Sequence, residues 1–228
     1  MKVLPEQAER LHRFAHDVRN RLIGLQQVLE QLGHGEKDAE RLEFIRFGEK
    51  QYFKALREVE ILLDDLGVDR GAITPNVERF PVAVLANEHV ELLKHRFSGK
   101  LQRVELDIPV ELHVMADRRV TGDILNALFS NASKFSSAES TIRISATVNG
   151  EMVELAVHDH GTGLSAEDLA QVFDRFAWLS NEPTGTESQG RGTLSRVRGH
   201  AQAQHGDLLA SSAGVDRGCT FTLRLPLG

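Results

Sequence analysis

An all-α helical hairpin followed by an α+β two-layer sandwich is the fold class that this 228-residue sequence predicts. Three observations predict it. Apolar residues recur by threes and fours through the first 67 positions, and the stretch GVDRGAITPN (67–76) then breaks the pattern with two glycines and a proline. From about residue 78 onward, helical patterns take turns with short alternating runs, as in a sheet whose helices lie to one side. The expected organisation is a hairpin at 1–67, a linker at 68–77 and a second domain at 78–228.

In the first helix Leu11, Phe14, Val18, Leu22, Leu25, Leu29 and Leu32 form the apolar stripe, and GHGEKD (33–38) stops it. The second follows a heptad seam, Leu42, Ile45, Glu49, Tyr52, Leu56, Val59, Leu63 and Leu66, with one polar interruption. Two such helices make a hairpin roughly 40 Å long. Alone it has too little core, so a homodimer that completes a four-helix bundle is expected.

The second domain is expected to hold a helix at 82–97, strands at 102–107 and 111–115, and a helix at 118–135. Two alternating runs follow, TIRISATV (141–148) and EMVELAVH (151–158), joined by an Asn-Gly turn. A loop with a short helix leads to a helix at 193–204, and DLLASSA and CTFTLRLP (219–226) close the domain as strands.

Apolar residues make up 41% and charged residues 26% of the chain, the balance of a soluble globular protein. The 33 acidic residues against 27 basic ones leave a net charge of −6, which argues against nucleic acid as a partner. No apolar run approaches the roughly 18 residues of a membrane span, and the start of the chain lacks a signal-peptide core. The lone Cys219 excludes an internal disulfide framework and fits a reducing compartment, so a cytoplasmic location is expected.

Chemistry concentrates in five stretches. His16, Asp17 and Asn20 in HDVRN lie off the Phe14–Val18–Leu22 stripe, so their helix exposes them together. NALFSNASKFS (126–136) is helical, with Ile124, Leu125, Leu128 and Phe135 as its apolar face. VHDHGTGLS (157–165) ends a strand in Asp-x-Gly-x-Gly, an acid beside glycines that let a ligand come close to the backbone. VFDRF (172–176) follows, and then the glycine-bearing GRGTLS (190–195) before His205-Gly206. His158 and His160 flank Asp159, but no third ligand stands at metal spacing. Trp178, after the FDRFA segment, either packs under the glycine-bearing loop that follows or lies exposed as a partner contact.

In this order, the motifs resemble the ATP-binding domain of bacterial sensor histidine kinases, a Bergerat-type ATPase fold. The first 67 residues resemble the same family's dimerisation and histidine-phosphotransfer hairpin. The resemblance implies that His16 accepts a phosphoryl group, with Asp17 orienting its ring or taking its proton. It implies that Asn20 positions a water for dephosphorylating a partner. Asn131 would ligand Mg²⁺ on the ATP phosphates, with Lys134 near their charge. Asp159 would accept from the adenine amino group beside Gly161 and Gly163, and Gly190 and Gly192 would belong to a mobile lid. ATP and Mg²⁺ are the implied cofactors, and the receiver domain of a response regulator is the implied partner. Input would come from a separate sensor protein or from a longer chain of which this one is part.

The sequence departs from the family at three places. Ala127 stands where an Asn or Glu is usual, four residues before Asn131, and the neighbouring Asn126 points about 100° away. Leu194 replaces the third lid glycine, where a Cβ hinders approach to phosphate; Arg191, Arg196 and Arg198 are candidates for compensating charge. Arg21 replaces a proline. A rival reading follows, in which the ATP domain is degenerate and the protein is a phosphotransfer intermediate or a scaffold that binds the regulator.

Overall fold

The computed structural model divides into two units, Met1–Ala72 and Ile73–Gly228. It describes residues 74–174, 177, 179–180, 183–184 and 193–228, together with positions 18, 32, 38, 41, 45, 47, 48 and 55. Of the latter, Val18, Leu32, Arg41, Ile45, Phe47, Gly48 and Ala55 are helical. The expected hairpin otherwise lies outside the described residues, as do His16, Asp17, Asn20, Trp178, Gly190, Arg191 and Gly192.

The second unit runs β1 (Glu78–Pro81), α1 (Val82–Leu92), α2 (Lys94–Gly99), β2 (Arg103–Asp107), β3 (His113–Ala116), α3 (Arg118–Phe135), β4 (Thr141–Asn149), β5 (Met152–His158), α4 (Ala166–Gln171), α5 (Thr193–Ala203), β6 (Asp207–Ser211) and β7 (Thr220–Pro226). The main sheet has the order β2-β4-β5-β7-β6, with β2 parallel to β4 and the other pairs antiparallel. A small antiparallel pair, β1 with β3, stands beside it. This is the α+β sandwich expected, with its helices on one face.

Alternation along the strands shows why. Ile142, Ile144 and Ala146 of β4, Val153, Leu155 and Val157 of β5, and Phe221, Leu223 and Leu225 of β7 are buried and belong to one core with Ile124, Leu125, Leu128, Phe129 and Ala132 of α3. Period 2 on the sheet meets period 3.6 on the helix, and water is excluded between them. Asn149 pairs with Met152, so the β4–β5 hairpin turns through Gly150 at φ +61°.

α3 has the boundaries its sequence predicts. Asp117 caps it by accepting from the Val120 N–H at 2.9 Å, and Ser136 leaves the helix for extended backbone. The single helix expected at 82–97 is instead broken at Leu93, whose φ and ψ are −94° and 7°. The change of direction puts Phe97 in the same core as Leu85 and Ala86, a gain that outweighs helical continuity.

Candidate nucleotide site

Asp159 stands at the end of β5 with 3% of its surface exposed. Its Oδ1 accepts from the Gly161 N–H at 2.9 Å and the Cys219 N–H at 3.2 Å. Its own N–H donates to the Cys219 carbonyl at 2.9 Å. Among the described residues Oδ2 has no donor. Burial pushes the carboxyl up to about 6, against the pull of the two backbone N–H groups and of His160. A carboxylate with one oxygen held and the other open is an acceptor aimed at a ligand's N–H. Cys219 itself is an inert thiol, pushed up to about 12 by burial and by the charge of Asp159.

The glycines around Asp159 are demanded by the chain's own backbone. A Cβ on Gly161 would stand 2.5 Å from the Phe135 carbonyl oxygen and 2.9 Å from Asp159 Oδ1. Gly163 has φ +64°, and a Cβ there would lie 2.1 Å from the Gly214 carbonyl oxygen. The close approach is locked by hydrogen bonds from the Thr162 N–H to the Phe135 carbonyl, from the Gly218 N–H to the Gly161 carbonyl, and from the Asp216 N–H to the Thr162 carbonyl, at 3.2, 3.1 and 2.7 Å. The end of β5, the end of α3 and the 212–218 turn are thus one assembly. Thr162 carries a buried hydroxyl oxygen with no partner among the described residues, and so does Ser136, which bridges to Gly161. Neither was legible as a site residue, because a lone hydroxyl in a turn carries no sequence signal.

On α3, Asn131 is half-buried, and its side chain makes no hydrogen bond among the described residues. Lys134 is 8% exposed, with its ammonium 5.5 Å from the centroid of the Phe135 ring. Ala127 is half-buried and packed against the core, so no polar group takes the place of the usual Asn or Glu. Leu194 lies in the first turn of α5 and also packs on that core. Arg198 is not available as compensating charge. Its guanidinium holds both oxygens of Asp207, at 2.9 and 3.3 Å, and stacks on the Phe173 ring at 4.7 Å. That pairing keeps the Asp207 carboxyl below its ordinary range.

His158 and His160 stand edge to face at 4.7 Å. Each is engaged, His158 with the Thr220 hydroxyl and His160 with the Thr141 carbonyl, both at 2.9 Å. Among the described residues no cluster of three metal-ligating side chains occurs.

Adenine and a divalent cation both fit the residues present. Asp159 offers an open oxygen to an exocyclic amine, the buried Thr162 hydroxyl lacks a partner, and Asn131 offers an unclaimed carboxamide oxygen of the kind Mg²⁺ takes.

The family model of histidine kinase-, DNA gyrase B- and HSP90-like ATPases matches residues 116–228. The sandwich with its Asp159 loop therefore belongs to that ATPase family. Nearly the whole chain is similar to the sensor-like histidine kinase SenX3 of Mycobacterium tuberculosis, 27% identical over 215 residues, covering 93% of this chain and 52% of that protein. The histidine protein kinase DivJ of Caulobacter vibrioides is 36% identical over 122 residues, 52% of this chain and 20% of its own. Full-length ShkA, solved with AMPPNP, shares the fold with a TM-score of 0.62 at 21% identity, over 96% of this chain and 46% of its own. The Acinetobacter baumannii histidine kinase AdeS shares it at 0.58 and 21% identity, over 93% and 98%. Over nearly its whole length the chain is similar to sensor histidine kinase cores, and its second unit carries the Bergerat-type ATPase domain. It spans about half the length of SenX3. No helix among the described residues is long and apolar enough to cross a membrane.

Proposed function

We propose that this core binds Mg·ATP in the second unit, phosphorylates His16 and passes the phosphoryl group to an aspartate of a response-regulator receiver domain. The observation that carries the reading is Asp159, a buried carboxylate with Oδ1 held by two backbone amides and Oδ2 open. It would accept from the adenine amino group. Asn131 would hold Mg²⁺, which neutralises charge on the phosphate oxygens when bound. The His16 ring nitrogen attacks the γ-phosphorus, the bond from that phosphorus to the bridging oxygen breaks, and ADP leaves with the electron pair. Asp17 takes or holds the ring proton, and Asn20 serves the reverse traffic by aiming water at the regulator's aspartyl phosphate. Gly190 and Gly192 would belong to the lid over the triphosphate, and Lys134 would help with its charge. Two hairpins pair in a homodimer. The reaction draws on the cell's ATP, so the core works in the cytoplasm and takes its signal from a separate sensor protein or from another part of a longer chain.

A second reading is favoured by Ala127 and Leu194, both packed on the core where the family has polar or glycine positions. In it the domain no longer uses ATP, and His16 relays a phosphoryl group between receivers. Incubation of the full chain with radiolabelled Mg·ATP separates the two. The kinase reading expects acid-labile, base-stable label that is absent from His16→Ala. Absence of label together with absence of nucleotide binding overturns it, and label acquired from a phosphorylated receiver at His16 then establishes the relay.

A further inference from the structure

The last turn of α3 exposes carbonyl oxygens that no helical N–H can reach. Here they are taken by side chains outside every motif that marks the family. The Lys100 ammonium lies within hydrogen-bond distance of four oxygens: the carbonyls of Ser133 (2.9 Å), Lys134 (3.1 Å) and Ser136 (3.5 Å) and the hydroxyl of Thr184 (3.0 Å). Thr184 donates its N–H to the Lys134 carbonyl at 3.1 Å and its hydroxyl to the Ser136 carbonyl at 2.5 Å. Gln102, 8% exposed, donates to the carbonyls of Ser133, Ser136 and Ser137 at 3.0, 3.2 and 3.1 Å and accepts from the Ser133 hydroxyl at 2.7 Å. The carbonyl left over, that of Phe135, receives the Thr162 N–H of the Asp159 loop.

One helix end therefore seats both halves of the site. The turn that Lys100 holds carries Asn131 and Lys134, and its next residues carry the Asp159–Gly163 loop through the Ser136–Gly161 bridge. We infer that Lys100, with Thr184, is a positioning residue for the nucleotide: its ammonium caps α3 so that Asn131, Lys134 and Asp159 keep their common geometry. This inference rests on the nucleotide-binding reading above. Charge-assisted hydrogen bonds to partly buried carbonyls are the strong kind, and their loss leaves oxygens that water must satisfy by fraying the turn.

The test is calorimetric titration of the full chain with Mg·AMPPNP, at a temperature where circular dichroism shows each variant folded. Lys100→Met should weaken binding about tenfold or more, the scale of one or two lost charge-assisted hydrogen bonds. Thr184→Val should also weaken it, Thr184→Ser should bind like the parent, and the Lys100→Met/Thr184→Val pair should lose less than the product of the single effects. A merely structural role would lower the melting temperature and leave the affinity of the folded protein alone. Unchanged affinity in folded Lys100→Met overturns the inference. Should that variant not fold, equal binding by Thr184→Val and Thr184→Ser overturns it instead. A parent chain that binds no Mg·AMPPNP overturns this inference and the kinase reading together, whereas a parent that binds beside an unaffected variant overturns this inference alone.

Discussion

Asp159 is costly to ionise where it sits. Its folded value of about 6 lies above the ordinary 3.8, so between these two pH values the folded chain binds more protons than the unfolded one. Stability from this group is therefore greatest at low pH and falls as pH rises from about 4 through 6. Asp159→Asn removes that fall and keeps a carbonyl oxygen for the Gly161 and Cys219 N–H groups. The variant should be more stable than the parent by roughly 3 kcal/mol well above pH 6, and about equal to it near pH 4, since a shift of one pKa unit is worth about 1.4 kcal/mol. Urea denaturation at pH 7.5 checks this; a variant less stable than its parent there would show that the carboxylate is stabilised by something other than those two amides. Nucleotide binding should move the opposite way and weaken, because the charge that would meet adenine is gone. A group kept at a cost to stability is the mark of a working site.

Among the elements, α3 carries Asn131 and joins the Asp159 loop, and both its ends are tied. At its start, Asp117 accepts from the Val120 N–H at 2.9 Å and from the Asn76 N–H at 2.8 Å, and the Asp117 N–H donates to the buried Gln204 at 2.8 Å. The segment that leads into the domain and the first turn of the helix thus meet on the Asp117 carboxylate, and the residue after α5 meets its backbone N–H. Asp117→Ala should cost about 1–2 kcal/mol, a helix cap plus one further buried hydrogen bond, read as a lower urea midpoint with unchanged slope. The bounds of α3 and the strand alternation were legible because periodicity is a local signal. The break at Leu93 was not, since it depends on where Phe97 finds the core, and the pattern of 82–97 alone continues without interruption.

For the molecule as a whole, the two units make different demands. The sandwich closes its own core, from Phe80 to Leu225. The hairpin expected from the sequence of the first 67 residues would have the seam of a bundle, and the proposed homodimer would supply the second copy that buries it. In sedimentation the full chain should therefore run as a dimer at micromolar concentration and residues 73–228 as a monomer, both with the same affinity for Mg·ATP. A monomeric full chain would remove the bundle and with it the setting for His16.

Order and spacing along the chain were enough to mark the sandwich with its helices on one face and the family resemblance, because turn residues, alternation and ordered motifs are written locally. They also placed Asn131 and Asp159 as candidates. Only the tertiary structure decided why the glycines of the Asp159 loop are glycines, since the carbonyls they avoid belong to Phe135 and to Gly214, distant in sequence. It alone withdrew Arg198 from the phosphates, by giving it to Asp207 and Phe173, and packed the half-buried Ala127 and Leu194 against the core. Lys100 and Thr184 emerged in the same way. A side chain that caps a helix from 33 or 50 residues away leaves no periodic trace, because hydrogen bonding to a carbonyl specifies a place in space and no spacing along the chain.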